Sequence, residues 1–182
     1  DITANDVNIG TLDVTNNIAL YSLQCPRALS GLIVGPNNHL VYVNIAQNSI
    51  TNLDLSNNTA LQQLYFFASP LATSLNLAGA TSLSILRVEN SSLTSLDLST
   101  NIALTDLRAD LCNLTSLNVQ NGNNANLTGF AAYSNPNLTC IQVDDPTYMN
   151  ANWSGGKDAG ATYSTDCNCT VNIPDVNFKN TL

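Results

Sequence analysis

Apolar residues recur along the chain with a period close to 21 residues, and this period is the clearest feature of the sequence. Three segments nearly superimpose: Leu12–Leu20, Leu53–Leu61 and Leu96–Leu104. The last leucine of each copy serves as an anchor, and the anchors are spaced by 20, 21, 22, 21 and 23 residues: Leu20, Leu40, Leu61, Leu83, Leu104 and Leu127. Such a period predicts a solenoid, in which each repeat forms one turn and stacks on the next.

Within each turn, the residues three and five positions after the anchor are apolar, which is the alternation of a strand with both side chains inward. Asn48 and Cys112 stand eight positions after their anchors, where we expect the side chain to bond backbone groups that lack a sheet partner. This is the leucine-rich-repeat pattern. The predicted fold is mostly β: a leucine-rich-repeat solenoid of about 21-residue turns, with a parallel sheet on the concave face and a C-terminal cap.

The second half of each turn also alternates, as in Leu53–Ser56 and Leu96–Ser99, and predicts a short strand on the opposite face. We expect little or no α-helix, because Asn, Ser and Thr fill the returns. Oxygen-bearing side chains that suit Ca²⁺ form one column of this face: Asp13, Asp54, Asn76, Asp97 and Asn118. The glycine-rich acidic repeat of calcium-binding solenoids is missing, so we favour a hydrated ladder with turn-type hydrogen bonds.

The pattern breaks in the last third of the chain. Extra residues stand at 120–126, and after Asp145 the leucines give way to Trp153, glycines and Tyr163. Because a terminal repeat must cover the open end of the core, Trp153 is a candidate lid. The predicted organisation is a solenoid over 1–137, a C-terminal cap over 138–169 and a tail over 170–182 that begins a linker or a further module. No N-terminal cap is obvious in residues 1–11.

The five cysteines fall into two groups. Cys25 stands at an inward ladder position and Cys112 at the turn position, and both are predicted to be buried free thiols. Cys140, Cys167 and Cys169 lie in the cap. A disulfide between Cys140 and Cys167 would fasten the cap to the last turn and indicates an oxidising compartment, although the sequence does not separate it from pairing with Cys169.

At this point the turns resemble a known group of proteins. Asn-Leu-Thr-Ser-Leu-Asp-Leu-Ser-type turns, the run from Asn135 to Asp145 and the Tyr163–Cys167 ending resemble secreted leucine-rich-repeat proteins of marine Bacteroidetes, the flavobacteria. The resemblance covers residues 9–169, and residues 171–182 resemble the opening of a further module in such proteins. It implies an exported protein, extracellular or on the cell surface, and a chain that is part of something longer.

Composition excludes several classes of protein. The chain has 182 residues, 5 basic and 13 acidic, and only 10% of its residues are charged, against roughly 25% in soluble domains. Its 28 asparagines supply polarity instead. Scattered basic residues and a pI near 4.1 argue against nucleic acid, and no apolar run approaches the roughly 20 residues of a membrane span. The polar opening predicts no signal peptide, and hence a mature protein or an excised module.

The sequence contains few of the residue arrangements that enzymes use for catalysis. The single histidine, His39, has no nucleophile motif nearby and is predicted to be an exposed loop residue. Glu89 with Asp106 or Asp110 would bring two carboxylates within the roughly 5–9.5 Å that glycosidases require. Such pairs arise on any polar sheet face, and the sequence indicates no environment that raises a carboxyl pKa. We predict no enzyme, no cofactor and no metal site.

The outward face of the predicted sheet carries most of the informative side chains. Outward positions stand two, four and six residues after each anchor. Two of the three arginines and the only glutamate fall there, in adjacent turns about 4.8 Å apart. Aromatic and arginine side chains dominate binding hot spots. The predicted ligand-binding residues are Tyr42, Tyr65, Phe67, Arg87, Glu89, Asp106, Arg108 and Asp110. The alternative is that these charges merely pair on a solvated sheet.

These observations predict a non-catalytic recognition or adhesion module of a secreted or cell-surface bacterial protein. It would bind a protein or polysaccharide through the concave face, because solenoids use such extended surfaces for binding. Two alternatives stay open. One is a structural spacer between other modules, and the other is an accessory carbohydrate-binding domain of a polysaccharide-degrading enzyme.

Overall fold

A computed structural model of the chain describes residues 1–5 and 9–168. The first half of the turns builds a seven-stranded parallel sheet, termed the long sheet. Its strands, in order, are β1 (Ile2–Thr3), β3 (Ser22–Gln24), β5 (Tyr42–Asn44), β7 (Gln63–Tyr65), β9 (Ile85–Arg87), β11 (Asp106–Arg108) and β13 (Gly129–Ala131). The predicted fold class, a mostly β leucine-rich-repeat solenoid, is confirmed.

The leucines that follow each anchor fill the core, as their spacing predicts. The middle residue of each strand from β3 to β13 is buried, because successive side chains alternate between the two faces of a sheet. Neighbouring strands pair at equivalent positions, so Val43 lies between Leu23 and Leu64. The turns therefore share one continuous apolar core. At the N-terminal end, Ile2–Thr3 pairs with β3 and extends the sheet by a strand that the sequence pattern did not indicate.

The second half of the turns also forms strands, which confirms the prediction for the opposite face. Among the described residues these strands form separate sheets of two, two and four strands. They are β2 (Gly10–Asp13) with β4 (Leu29–Ile33), β6 (Asn52–Asp54) with β8 (Ser74–Asn76), and β10 (Ser95–Asp97), β12 (Ser116–Asn118), β14 (Cys140–Gln142) and β15 (Thr162–Ser164). The long sheet is thus the more regular of the two sides.

Side chains at the ends of the long-sheet strands bond the backbone of two turns at once. The Asn48 Oδ1 accepts from the backbone N–H of Ala28 at 2.7 Å, and its Nδ2 donates to the carbonyl of Cys25 at 2.8 Å. Cys112 occupies the same place three turns later, and its thiol donates to the Val88 carbonyl at 3.3 Å. The role predicted for this position is confirmed at both residues.

The column of carboxylates and amides on the second side makes the predicted turn-type hydrogen bonds. Each side chain accepts from the backbone N–H two residues later, at 2.9 Å for Asp54 and 3.0 Å for Asp97. The same bond forms at Asp13, Asn76 and Asn118. In each of these side chains, one oxygen is therefore already hydrogen-bonded to the local backbone. Within residues 1–5 and 9–168, no group of three or more His, Cys, Asp or Glu side chains is placed to hold a metal ion.

One α-helix, α1 (Pro146–Trp153), lies in the predicted cap, and 3-10 turns stand at Asn124–Asn126 and Ser154–Gly156. Asp145 caps α1 by accepting from the backbone N–H of Thr147 at 2.8 Å, and proline is favoured at the first helical position because it has no N–H to satisfy. The expectation of little α-helix holds for the turns, and the segment predicted as a cap supplies the exception.

Aromatic rings cover the end of the core. Phe130, in β13, contacts Trp153 and Tyr163, with ring centroids 6.4 and 6.1 Å away. The Tyr163 hydroxyl donates to the Trp153 carbonyl at 2.8 Å, and burial raises the pKa of that hydroxyl. Trp153 therefore packs over the last turn, where the sequence placed a lid.

The cysteines divide as the sequence suggested. Cys140 and Cys167 form a disulfide, which resolves the pairing that the sequence left open. Cys25 and Cys112 are buried free thiols. Cys169 and the predicted tail over 170–182 lie outside the described residues.

Two aspartates of the last described turns accept from backbone N–H groups of the turn before. The Asp158 carboxylate accepts from the backbone N–H of Asn135 at 2.8 Å. On the other side, Asp144 accepts from the backbone N–H groups of Gly122 and Asn124, at 2.9 and 3.1 Å. Carboxylates thus take, at these two places, the role that asparagine, serine or cysteine side chains have in other turns.

Candidate functional site

The outward rows predicted for the long sheet are in register in the structure. Tyr65 pairs with Arg87, and Arg87 pairs with Arg108, so these side chains follow one another across β7, β9 and β11. Asp106 stands opposite Ile85 in the adjacent row. The predicted arginine and aromatic residues therefore share one face within a few neighbouring turns.

An ion pair across two strands forms the centre of this face. The Arg87 Nη2 lies 2.6 Å from the Asp106 Oδ2, and the two side chains are 24% and 22% exposed. Asp106 has room beside the next turn because Gly129 stands there, and a Cβ at Gly129 would collide with the carboxylate. Partial burial and this fitted neighbour distinguish the pair from an exposed surface ion pair, which contributes little to stability.

In and around this pair, three charged side chains each have one polar atom that is buried and has no hydrogen-bond partner in the described part of the chain. These atoms are Glu89 Oε2, Asp106 Oδ1 and Arg108 Nε. Asp110 stands one turn beyond Glu89 and is buried. Burial raises the pKa of Glu89, and Asp110 adds to this rise, while both arginines oppose it. We term Arg87, Glu89, Asp106, Arg108 and Asp110 the charged cluster.

Replacing Glu89 with glutamine should raise the melting temperature at pH 7 and change it much less at pH 4. Burial lifts the pKa of Glu89 above its ordinary value of 4.5, so the folded state binds the proton more tightly than the unfolded state. Stability then falls as the pH rises from that ordinary value through the raised pKa. Because solvent screens a half-buried group, we expect a rise of about 2 °C.

Thermal unfolding of the unmodified chain and of the Glu89→Gln variant, each at pH 4 and pH 7, measures this effect. Asp97→Asn is the matched control, because it removes one negative charge from an exposed site on the opposite side. Equal shifts from Glu89→Gln at pH 4 and pH 7 would contradict the proposed origin in burial.

Aromatic side chains extend the face beyond the charged cluster. The rings of Tyr42 and Tyr65 lie 5.6 Å apart between centroids, and Phe67 stands one turn before Glu89. Tyr133, one turn beyond Asp110, is 39% exposed and lies outside the predicted site. In the sequence, Tyr133 stands six residues after the anchor Leu127, and this spacing places it on the same face.

Two further sequence expectations bear on function. His39 is exposed, as predicted. Among the described residues, no helix is both long enough and apolar enough to cross a bilayer.

The fold and its outer face define the class: a leucine-rich-repeat solenoid, an architecture compatible with recognition. A solved structure of the functional domain of InlJ from Listeria monocytogenes, a domain that includes a cysteine ladder, is similar to this chain at 27% identity and a TM-score of 0.52. The match covers 75% of this chain and 37% of that one, so the chain spans little more than a third of the InlJ structure. No family model and no curated protein matches the sequence.

Proposed function

We propose that this chain is a non-catalytic recognition module that binds a protein or glycan through the outer face of the long sheet. The charged cluster is the observation that supports this best. Its ion pair is already oriented and partly shielded from water, so a ligand that contacts it pays less for desolvation and side-chain ordering. Charged groups placed in this way also select for a partner of complementary charge.

The setting of this function is a secreted or cell-surface protein, with adhesion as its role. Disulfides persist in oxidising compartments, and the Cys140–Cys167 bond is in keeping with that setting. The resemblance of the turns to secreted flavobacterial leucine-rich-repeat proteins supports the same setting. A structural spacer would need the repeat frame but has no use for charged side chains on one face whose buried polar atoms lack a hydrogen-bond partner among the described residues.

A double substitution, Arg87→Gln with Arg108→Gln, should reduce ligand capture at least tenfold. Both guanidinium groups disappear while the side chains keep much of their length. Loss of Arg87 leaves the partly buried Asp106 without its ion-pair partner, so the melting temperature should fall by several degrees, and capture is measured well below the unfolding midpoint of the variant. The unmodified chain and the variant are compared on a glycan array and on an array of extracellular proteins.

Arg27→Gln provides the control, since Arg27 is an exposed arginine outside the charged cluster. Capture that is unchanged in the double variant would reject the charged cluster as the binding surface. If the unmodified chain captures nothing on either array, the spacer function is favoured instead.

A further inference from the structure

We propose that a second site on the long sheet, outside the charged cluster, binds a segment of an uncharged saccharide. The site is a recess of about 350 Å³ across the first three turns, at the low end of the roughly 300–1,000 Å³ of small-ligand pockets. Its aromatic and amide walls come from Tyr21, Gln24, Tyr42, Gln62 and Gln63. The inference rests on the recognition function proposed above and names a ligand class for a different part of the same face.

The register of the long sheet brings these side chains together. Tyr42 and Gln63 pair as the first residues of β5 and β7, and Gln24 ends β3. Tyr21 and Gln62 directly precede β3 and β7. With parallel strands about 4.8 Å apart, the recess spans roughly 10 Å, and its centre lies about 12 Å from the charged cluster at 4.8 Å per turn.

Aromatic surface at the recess is left open to solvent. Tyr21 is 57% exposed. Tyr42 is half-buried, and its ring is tilted by 41° against the ring of Tyr65. A tyrosine presents an apolar ring and a polar hydroxyl, which suits a surface that is wet until a ligand arrives. The C–H face of a pyranose ring is apolar in the same way, while its hydroxyls project around the edge.

The amides around the rings match those hydroxyls. A glutamine side chain offers two donors and an acceptor, as a sugar hydroxyl requires of its partners. Gln63 Oε1 accepts from the Tyr65 hydroxyl at 3.3 Å, and Gln24 Nε2 donates to Ser22 Oγ at 3.4 Å. Each of these bonds uses one amide atom and orients the side chain. The other amide atom keeps its capacity for a ligand.

The recess carries no charged side chain, which separates it from the charged cluster. A polyanion such as nucleic acid or an acidic glycan gains most of its affinity from cationic partners, and none lines this site. A peptide strand is also disfavoured, because the local backbone already pairs within the sheet. Val41 N–H donates to the Tyr21 carbonyl at 2.9 Å, and Gln62 N–H donates to the Val41 carbonyl at 2.9 Å. An added strand therefore finds no free edge there.

Titration calorimetry of the unmodified chain with four uncharged hexasaccharides tests the proposal: cellohexaose, laminarihexaose, mannohexaose and chitohexaose. At least one should bind with a Kd below about 1 mM. Tyr21→Ala and Tyr42→Ala should each weaken that binding at least tenfold, whereas Tyr42→Phe should keep most of it because the stacking ring remains. Tyr133→Ala is the matched control, since it removes an exposed tyrosine from the same face three turns beyond the recess.

Absence of binding by all four hexasaccharides overturns the proposal, as does binding that both alanine variants leave unchanged. Tm values within a few degrees of the unmodified chain exclude unfolding as the cause of a loss. The Arg87→Gln and Arg108→Gln double variant should bind the hexasaccharide normally. If that variant loses array capture while no hexasaccharide binds the unmodified chain, the recognition function stands and the saccharide recess alone is rejected.

Discussion

Replacing Asn135 with alanine should lower the free energy of unfolding by about 3–5 kcal/mol. Asn135 is fully buried. Its Oδ1 accepts from the Leu114 N–H at 3.0 Å, and its Nδ2 donates to the carbonyls of Ala109 and Ala132 at 2.9 and 3.0 Å. Alanine leaves three backbone groups without these partners, and an unsatisfied buried group costs about 1–3 kcal/mol. Water that enters the site partly satisfies these groups, so the expected loss of unfolding free energy is smaller than three full penalties.

Urea denaturation followed by circular dichroism measures the loss. Asn137→Ala is the control, because Asn137 is an exposed residue of the same loop. Asn135→Ser should give an intermediate loss, since Ser69 and Ser91 occupy the equivalent place in other turns. A loss below 1 kcal/mol for Asn135→Ala would show that the ladder contributes little to stability.

Removing the disulfide through Cys140→Ser with Cys167→Ser should cost about 3.5 kcal/mol. The bond closes a loop with a sequence separation of 27 residues, and loop-closure entropy for that length gives roughly this value. The cap should loosen first, because β15 and α1 lie within or next to that loop and the solenoid turns do not. Hydrogen exchange should therefore rise in residues 140–168 before it rises in the rest of the chain.

Reduction of the unmodified chain with dithiothreitol should reproduce the stability of the double serine variant. Cys112→Ser is the control for the loss of a cysteine, because Cys112 is a free thiol at a ladder position that serine also fills. An unchanged unfolding midpoint after complete reduction would mean that packing alone holds the cap.

Counting from the anchors was sufficient to predict six of the seven strands of the long sheet, all but β1, and the rows on its face. The alternation of a strand and the regular stacking of turns allow one register, so the pairing of Tyr65, Arg87 and Arg108 follows from their positions. The disulfide partner of Cys140 required coordinates, since spacing allowed two choices. The helix α1 had a readable start signal, because Asp145 and Pro146 form an N-cap followed by proline.

The finer features of the site depend on neighbours in other turns, and a pattern within one turn does not reveal them. Asp106 reaches Arg87 because Gly129 leaves space for it in the following turn. The raised pKa of Glu89 arises from burial, which counting does not measure. The tyrosine and glutamine recess is a shape enclosed by three turns. Of its residues, Tyr42 alone was singled out from the sequence, and the others looked like ordinary surface positions.

The aspartate at the described end of the long sheet differs from the ladder asparagines in what it offers a neighbour. An asparagine has both a donor and an acceptor, and Asn135 uses both, on the Leu114 N–H and on the Ala109 carbonyl. An ionised aspartate has acceptors only. Asp158 accepts from the backbone N–H groups of Ser134 and Asn135, and its carboxylate has no hydrogen to donate to a carbonyl of another strand. Because stacked β-structure polymerises where its end is a template for pairing, an acceptor-only side chain makes this place a poorer template.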